Sequence, residues 1–119
     1  MTGAPPEVRV DVVSPDSGFS VRGSVVGDVL HLAVAGEADF ANTSPARTAS
    51  IGDVFLASGA TSITLDLSGV AFLDSGGLSW LVRLRALASS KGGSVRVTAS
   101  SARVERVLRI SGVAPLFSG

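Results

Sequence analysis

Cysteine is absent from the 119 residues, which excludes disulfides, thiol chemistry and cysteine-ligated metal sites together. Histidine and tryptophan occur once each, so a metal site has little to be built from beyond one His and scattered acids. An excess of one charge is lacking too. Ten Lys and Arg balance ten Asp and Glu, and Lys91 is the only lysine. With no basic patch, neither a nucleic-acid surface nor an anionic-membrane surface is expected. Long apolar runs are missing despite a mean hydropathy of +0.46. The most apolar stretches, around Leu30 to Ala35 and Val70 to Leu73, fall far short of the roughly 18 residues a membrane span requires. The first eleven residues carry Pro5, Pro6 and Glu7 without an apolar h-region, so no signal peptide is expected. The expectation is a cytoplasmic chain without cofactor or metal, one domain long and large enough to bury about two thirds of its unfolded surface.

Three of the five prolines fall in residues 1–17, which show little periodicity. This segment is expected to be a flexible tail, with a short strand conceivable at Val8 to Val12, ahead of a domain over residues 18–119. Phe19, Val21 and Val25 alternate with polar residues, and Gly27-Asp28 has the chemistry of a two-residue hairpin turn. The return strand places Leu30, Leu32 and Val34 on one face and His31, Ala33 and Ala35 on the other. Ser44 followed by Pro45 predicts a helix start, with Ala46, Ile51, Val54, Phe55 and Ser58 along its inner side and Gly59 as its stop. A strand over 63–67, a helix over about 76–90, a strand over 94–98 and a helix over about 102–110 follow. Trp80 belongs to the apolar arc of the second helix. The strands alternate rather than running continuously apolar. This predicts an α/β domain with a mixed sheet of four to five strands and helices mainly on one face, the other face wet.

The most informative segment is Asp74-Ser75-Gly76-Gly77, between the 63–67 strand and the second helix. On local chemistry two readings stay open. Asp74 or Ser75 is a plain helix cap and the glycines relieve crowding; or Ser75 is an exposed hydroxyl where a helix N-terminus favours added negative charge. A phosphate loop lacks its Gly-x-x-x-x-Gly-Lys pattern. Serine catalysis lacks both the Gly-x-Ser-x-Gly elbow and a nearby base, since His31 falls mid-strand. Hence no enzyme is expected.

The run Ile63-Thr64-Leu65-Asp66-Leu67-Ser68-Gly69-Val70, followed by Phe72-Leu73-Asp74-Ser75-Gly76-Gly77-Leu78, resembles the central signature of the STAS domain. More narrowly, it resembles the bacterial anti-sigma factor antagonists. Gly36-Glu37-Ala38-Asp39 is similar to the family's Gly-Glu-Leu-Asp turn. Lys91-Gly92-Gly93-Ser94-Val95 is similar to its helix-to-strand turn, and Val107 to Gly112 with Leu116-Phe117 to its C-terminal helix and closing apolar pair. The resemblance covers residues 19–117. Departures are Ala38 in place of leucine, a second glycine at Gly77 where one would suffice, and an Ala-rich first helix.

The resemblance implies a partner-switching role. The unmodified protein would bind an anti-sigma factor that is also a serine kinase, so freeing sigma factor. The kinase would then phosphorylate Ser75, and a serine phosphatase would reverse the modification. It also implies a partner face made of Asp39, Asn42, Thr43, Asp74, Ser75, Gly76 and Gly77, with Arg83 on the same helix. Two other roles fit the resemblance: a scaffold module of a stress-signalling complex, and a nucleotide- or small-ligand-binding STAS domain.

Overall fold

The computed structural model describes residues 8–14 and 18–117. Strands β1 (Val8–Ser14), β2 (Phe19–Val26) and β3 (Val29–Ala38) form an antiparallel meander. Gly27, at φ +62°, and Asp28 make the two-residue turn that sets Val26 opposite Val29. The chain then alternates through α1 (Pro45–Ser58), β4 (Ser62–Leu73), α2 (Ser75–Ser90), β5 (Val95–Ser100) and α3 (Ala102–Ile110), ending in a 3-10 turn at Ala114–Phe117. β4 lies parallel to β3 and β5 parallel to β4, giving a mixed sheet in the order β1-β2-β3-β4-β5.

The alternation read in the sequence decides where the core sits. Leu30, Leu32, Val34, Ile63, Leu65 and Leu67 are buried together with Ile51 and Phe55 of α1, Trp80, Leu81 and Leu84 of α2, and Val104 and Leu108 of α3. Each such side chain contributes about 1.5–3 kcal/mol by leaving water. Trp80 meets Phe19 edge to face, with ring centroids 6.1 Å apart. Arg22, His31 and Ala33, on the opposite face of the sheet, are exposed. Helices on one face and a wet second face are therefore what the chain forms.

α1 begins and ends where its punctuation predicts. Ser44 caps Arg47 N, Pro45 occupies the first turn, and Gly59 closes the helix in the left-handed region. Its inner side differs in one place. Ala46 is exposed, and Thr48 is buried with its hydroxyl donating to the Ser44 carbonyl (2.9 Å).

Three elements run past their expected bounds, β5 by two residues beyond Thr98 to Ser100. β1 runs from Val8 through Ser14 and pairs with β2 along its whole length, so ordered structure starts before Phe19. Val10 is buried in the core, and Arg47 of α1 donates to the Ser14 hydroxyl (3.1 Å), which fixes this strand as part of the sheet. The remainder of the expected tail, residues 1–7 and 15–17 with Pro5, Pro6 and Pro15, lies outside the described residues. β4 continues six residues past Leu67 to Leu73. Register shifts against β3 and β5 break its alternation, so that burial moves from Ile63, Leu65 and Leu67 to Val70 and Leu73. That slip, together with Gly69, makes the segment read as a loop.

Candidate functional site

β3 and β4 run parallel and end side by side, with Ala38 opposite Leu73. The loop after Ala38 and the start of α2 after Leu73 therefore meet at one end of the sheet. Asp74 is the cap of α2: its Oδ1 accepts from Gly77 N (3.0 Å), and its main-chain carbonyl accepts from Leu78 N (2.9 Å). Its second oxygen, Oδ2, accepts from Phe40 N (3.1 Å). One carboxylate thus ties the helix start to the loop of β3. Ser75 is the first residue of the helix, exposed, and its hydroxyl engages no other described residue.

The loop is held from within. The Asp39 carbonyl accepts from both Thr43 N (2.9 Å) and Thr43 Oγ1 (2.6 Å), while Asp39 Oδ1 accepts from Asn42 N (2.9 Å). Asn42 Nδ2 donates to the Glu37 carbonyl (3.0 Å), and Arg83 Nη2 of α2 donates to the Thr43 carbonyl (2.8 Å). Asn42 and Thr43, expected on the partner face, are 5% and 1% exposed. Their side chains face inward because the loop's backbone groups need partners. They shape the surface without presenting their own groups to it. Arg83 is likewise occupied in bracing the loop.

Gly76 and Gly77 are both required, which corrects the reading of the second glycine as surplus. A Cβ on Gly76 would be driven into the Phe40 backbone, and one on Gly77 into the Ala38 carbonyl oxygen. The helix start and the loop are in backbone contact at two successive positions. Phe40, in the loop facing them, is 75% exposed and is the residue at this end of the sheet that the sequence reading did not single out. A single aromatic in a polar loop gives no periodic signal, although its place directly after Asp39 could have drawn attention to it.

The assembled surface is a small plateau. Ser75 and Phe40 project, Asp39 and Asp74 are half-buried and acidic, and glycine backbone lies between. His31, the chain's single histidine, is elsewhere, on the wet face of the sheet beside Thr64. Among the described residues no cluster of His, Asp or Glu could hold a metal ion, and no helix is long and apolar enough to cross a membrane.

Residues 22–117 match the model of the family described as "Mlab, STAS domain". Among solved structures, the chain is similar to the protein TM1081, with 29% identity, 80% of this chain and 75% of that one covered, and a TM-score of 0.69. It is similar to an anti-sigma factor antagonist from Mycobacterium paratuberculosis at 28% identity, 87% and 86% coverage, and a TM-score of 0.65. It shares the fold of the anti-sigma factor antagonist SpoIIAA in its unphosphorylated form (19% identity, 82% and 84% coverage, TM-score 0.70). The same holds for the phosphorylated form from Bacillus (18% identity, 82% and 87% coverage, TM-score 0.64). No curated protein matches the chain in sequence.

Proposed function

Because this chain belongs to the STAS domain family, we propose that it is a cytoplasmic anti-sigma factor antagonist, without enzymatic activity of its own, that is switched by phosphorylation of Ser75. The observation that carries this reading is an exposed, unengaged hydroxyl at the first residue of α2. The cap role next to it is already filled by Asp74. Ser75 is therefore not needed to start the helix and is available to a kinase.

The exposed Ser75 is followed by glycines without side chains and neighboured by the exposed Phe40, which suits close docking of an anti-sigma factor bearing serine kinase activity. Phe40 supplies an aromatic anchor of the kind that dominates interface energies. Phosphorylation adds roughly −1.5 to −2 charges at Ser75, beside the Asp74 carboxylate. The N-terminus of α2 accommodates that charge, so this protein's own fold is unaffected. A partner surface matched to the neutral hydroxyl loses several kcal/mol from the like-charge and desolvation mismatch. Release thus follows from local electrostatics. A serine phosphatase would restore the binding form.

The test is to mix the purified chain with candidate anti-sigma kinases, with and without ATP. The expected outcome is a stable complex without ATP, its loss with ATP, and phosphate on Ser75 by mass spectrometry. Phosphate found chiefly on Ser68, Ser79 or Thr43 would overturn the assignment.

A further inference from the structure

Arginines that are scattered along the sequence gather on the short α3. Arg103, Arg106 and Arg109 stand there against the single acid Glu105, and all four are exposed. Among the described residues neither Arg106 nor Arg109 makes a hydrogen bond or ion pair, and the Glu105 carboxylate pairs with none of the three. Arg109 lies in the last turn, where a cation complements the helix dipole. The other two share a face with Ile110, at the i, i+3, i+7 spacing. Ile110 is 77% exposed, more than any other large apolar side chain among the described residues. The buried contacts of α3 are made by Val104 and Leu108, so packing requires neither Arg106 nor Ile110.

This face is tied to the end of the sheet that carries Ser75. β5 stops at Ser100, opposite Leu67, so from Ser68 to Leu73 no described strand lies beside β4 on that side. There Ser101 Oγ donates to the Val70 carbonyl (3.1 Å) and Arg103 Nη1 to the Ala71 carbonyl (3.1 Å). The four residues from Ala71 to Ser75 span at most about 14 Å, which keeps the Arg103 guanidinium within about 20 Å of Ser75. A standard interface covers about 800 Å² of each partner, a patch about 30 Å across. A protein seated on Ser75 therefore reaches α3 as well.

β4 also divides this end by charge. On its β3 side stand Glu37, in register with Phe72, then Asp39, and Asp74 with its link to Phe40 N. The arginines on that side, Arg47 and Arg83, donate to the Ser14 hydroxyl and the Thr43 carbonyl. On its β5 side α3 presents Arg103 and Arg106, with Glu105 on the opposite flank of the helix.

We propose that Arg103, Arg106 and Ile110 form a second contact for the anti-sigma kinase, seated on an acidic segment of that partner which lays an apolar side chain against Ile110. This contact rests on the partner-switching reading. Guanidinium groups hold carboxylates through paired, charge-assisted hydrogen bonds. Such complementarity fixes partner choice and orientation. The α3 face thus selects and orients the kinase, while Ser75 decides release.

The test is calorimetric titration of the full chain with the anti-sigma kinase, without ATP. Arg106→Glu should weaken the complex by about tenfold or more, and Ile110→Ser by about threefold or more. Arg106→Lys, which keeps the charge, should retain most of the affinity, and added salt should narrow the gap to Arg106→Glu. Arg96→Glu makes the same change of charge on the wet face of the sheet, in register with Thr64, and should bind as the unsubstituted chain does. Equal thermal melts would show every variant folded. A kinase that held both Arg106→Glu and Ile110→Ser at full affinity would overturn this contact alone, leaving the switch at Ser75 standing. An equal loss with Arg96→Glu would overturn it too, by assigning the effect to overall charge. Failure of the unsubstituted chain to bind any anti-sigma kinase would remove the partner-switching reading and this contact with it.

Discussion

At the scale of single residues, glycine at position 77 does more than any charged group to form the plateau. It lets the Ala38 carbonyl rest against the first turn of α2. Gly77→Ala should therefore cost about 1–3 kcal/mol, as overpacking does, and should loosen the 39–43 loop. Gly52, inside α1, is the control: a Cβ there meets only Leu87 Cδ2 at 3.9 Å. Gly52→Ala should stabilise by about 0.5–1 kcal/mol through helix propensity. Urea melts of the two variants should move in opposite directions. Relief of crowding by the glycines was one reading of the sequence, but the need for the second was not legible, because the atoms opposing Gly77 are some forty residues away along the chain. The burial of Asn42 and Thr43 was hidden for a related reason: polarity suggests exposure, but here it satisfies a buried backbone. Asp66 gives a second residue-scale check. The two Ser68 hydrogen bonds, side chain first, hold its carboxyl below the ordinary range, with burial opposing weakly. Any stability this confers is present at neutral pH and is lost as pH falls through that lowered value. In a carboxyl NMR titration, Ser68→Ala should move the Asp66 midpoint upward.

At the scale of elements, caps and turns were the most legible features, because their chemistry is local. Ser44-Pro45, Gly27-Asp28 and the helix over 102–110 appear where the sequence places them. Strands whose evidence is their partner were not. β1 has a half-alternating pattern, Val8, Val10 and Val12 against Arg9 and Asp11, but Val13 breaks it and Pro15 follows closely. Only the ladder to β2 and the cover of α1 make it a strand. A chain beginning at Gly18 should therefore be less stable by at least about 2 kcal/mol, since it loses the burial of Val10 along with the ladder. A denaturation midpoint equal to that of the full chain would show instead that β1 is dispensable.

At the scale of the whole molecule, the one-faced sheet separates what keeps the protein folded from what it presents. The core lies between the sheet and three helices, while Ser75 and Phe40 stand at the end where β3 and β4 run out. Stability and partner binding should therefore respond to different substitutions. Leu65 is fully buried on the central pair of strands, so Leu65→Ala should cost about 2–5 kcal/mol through the cavity it leaves. Ser75→Ala and Ser75→Asp alter an exposed position whose cap is supplied by Asp74, and each should shift stability by no more than about 0.5 kcal/mol. Their binding should diverge: Ser75→Ala should hold the anti-sigma kinase with or without ATP, and Ser75→Asp should weaken the complex only in part. One carboxylate carries less charge than a phosphate, at about −1 against −1.5 to −2. Asp39→Ala should be intermediate, because Asp39 both borders the plateau and accepts from Asn42 N. Loss of that turn contact should lower stability by about 0.5–2 kcal/mol, as loss of a cap does. Thermal melts and calorimetry on the four variants decide the matter. If Ser75→Asp melted as early as Leu65→Ala, the hydroxyl would be a structural element of the helix start, and the switch could not reside there.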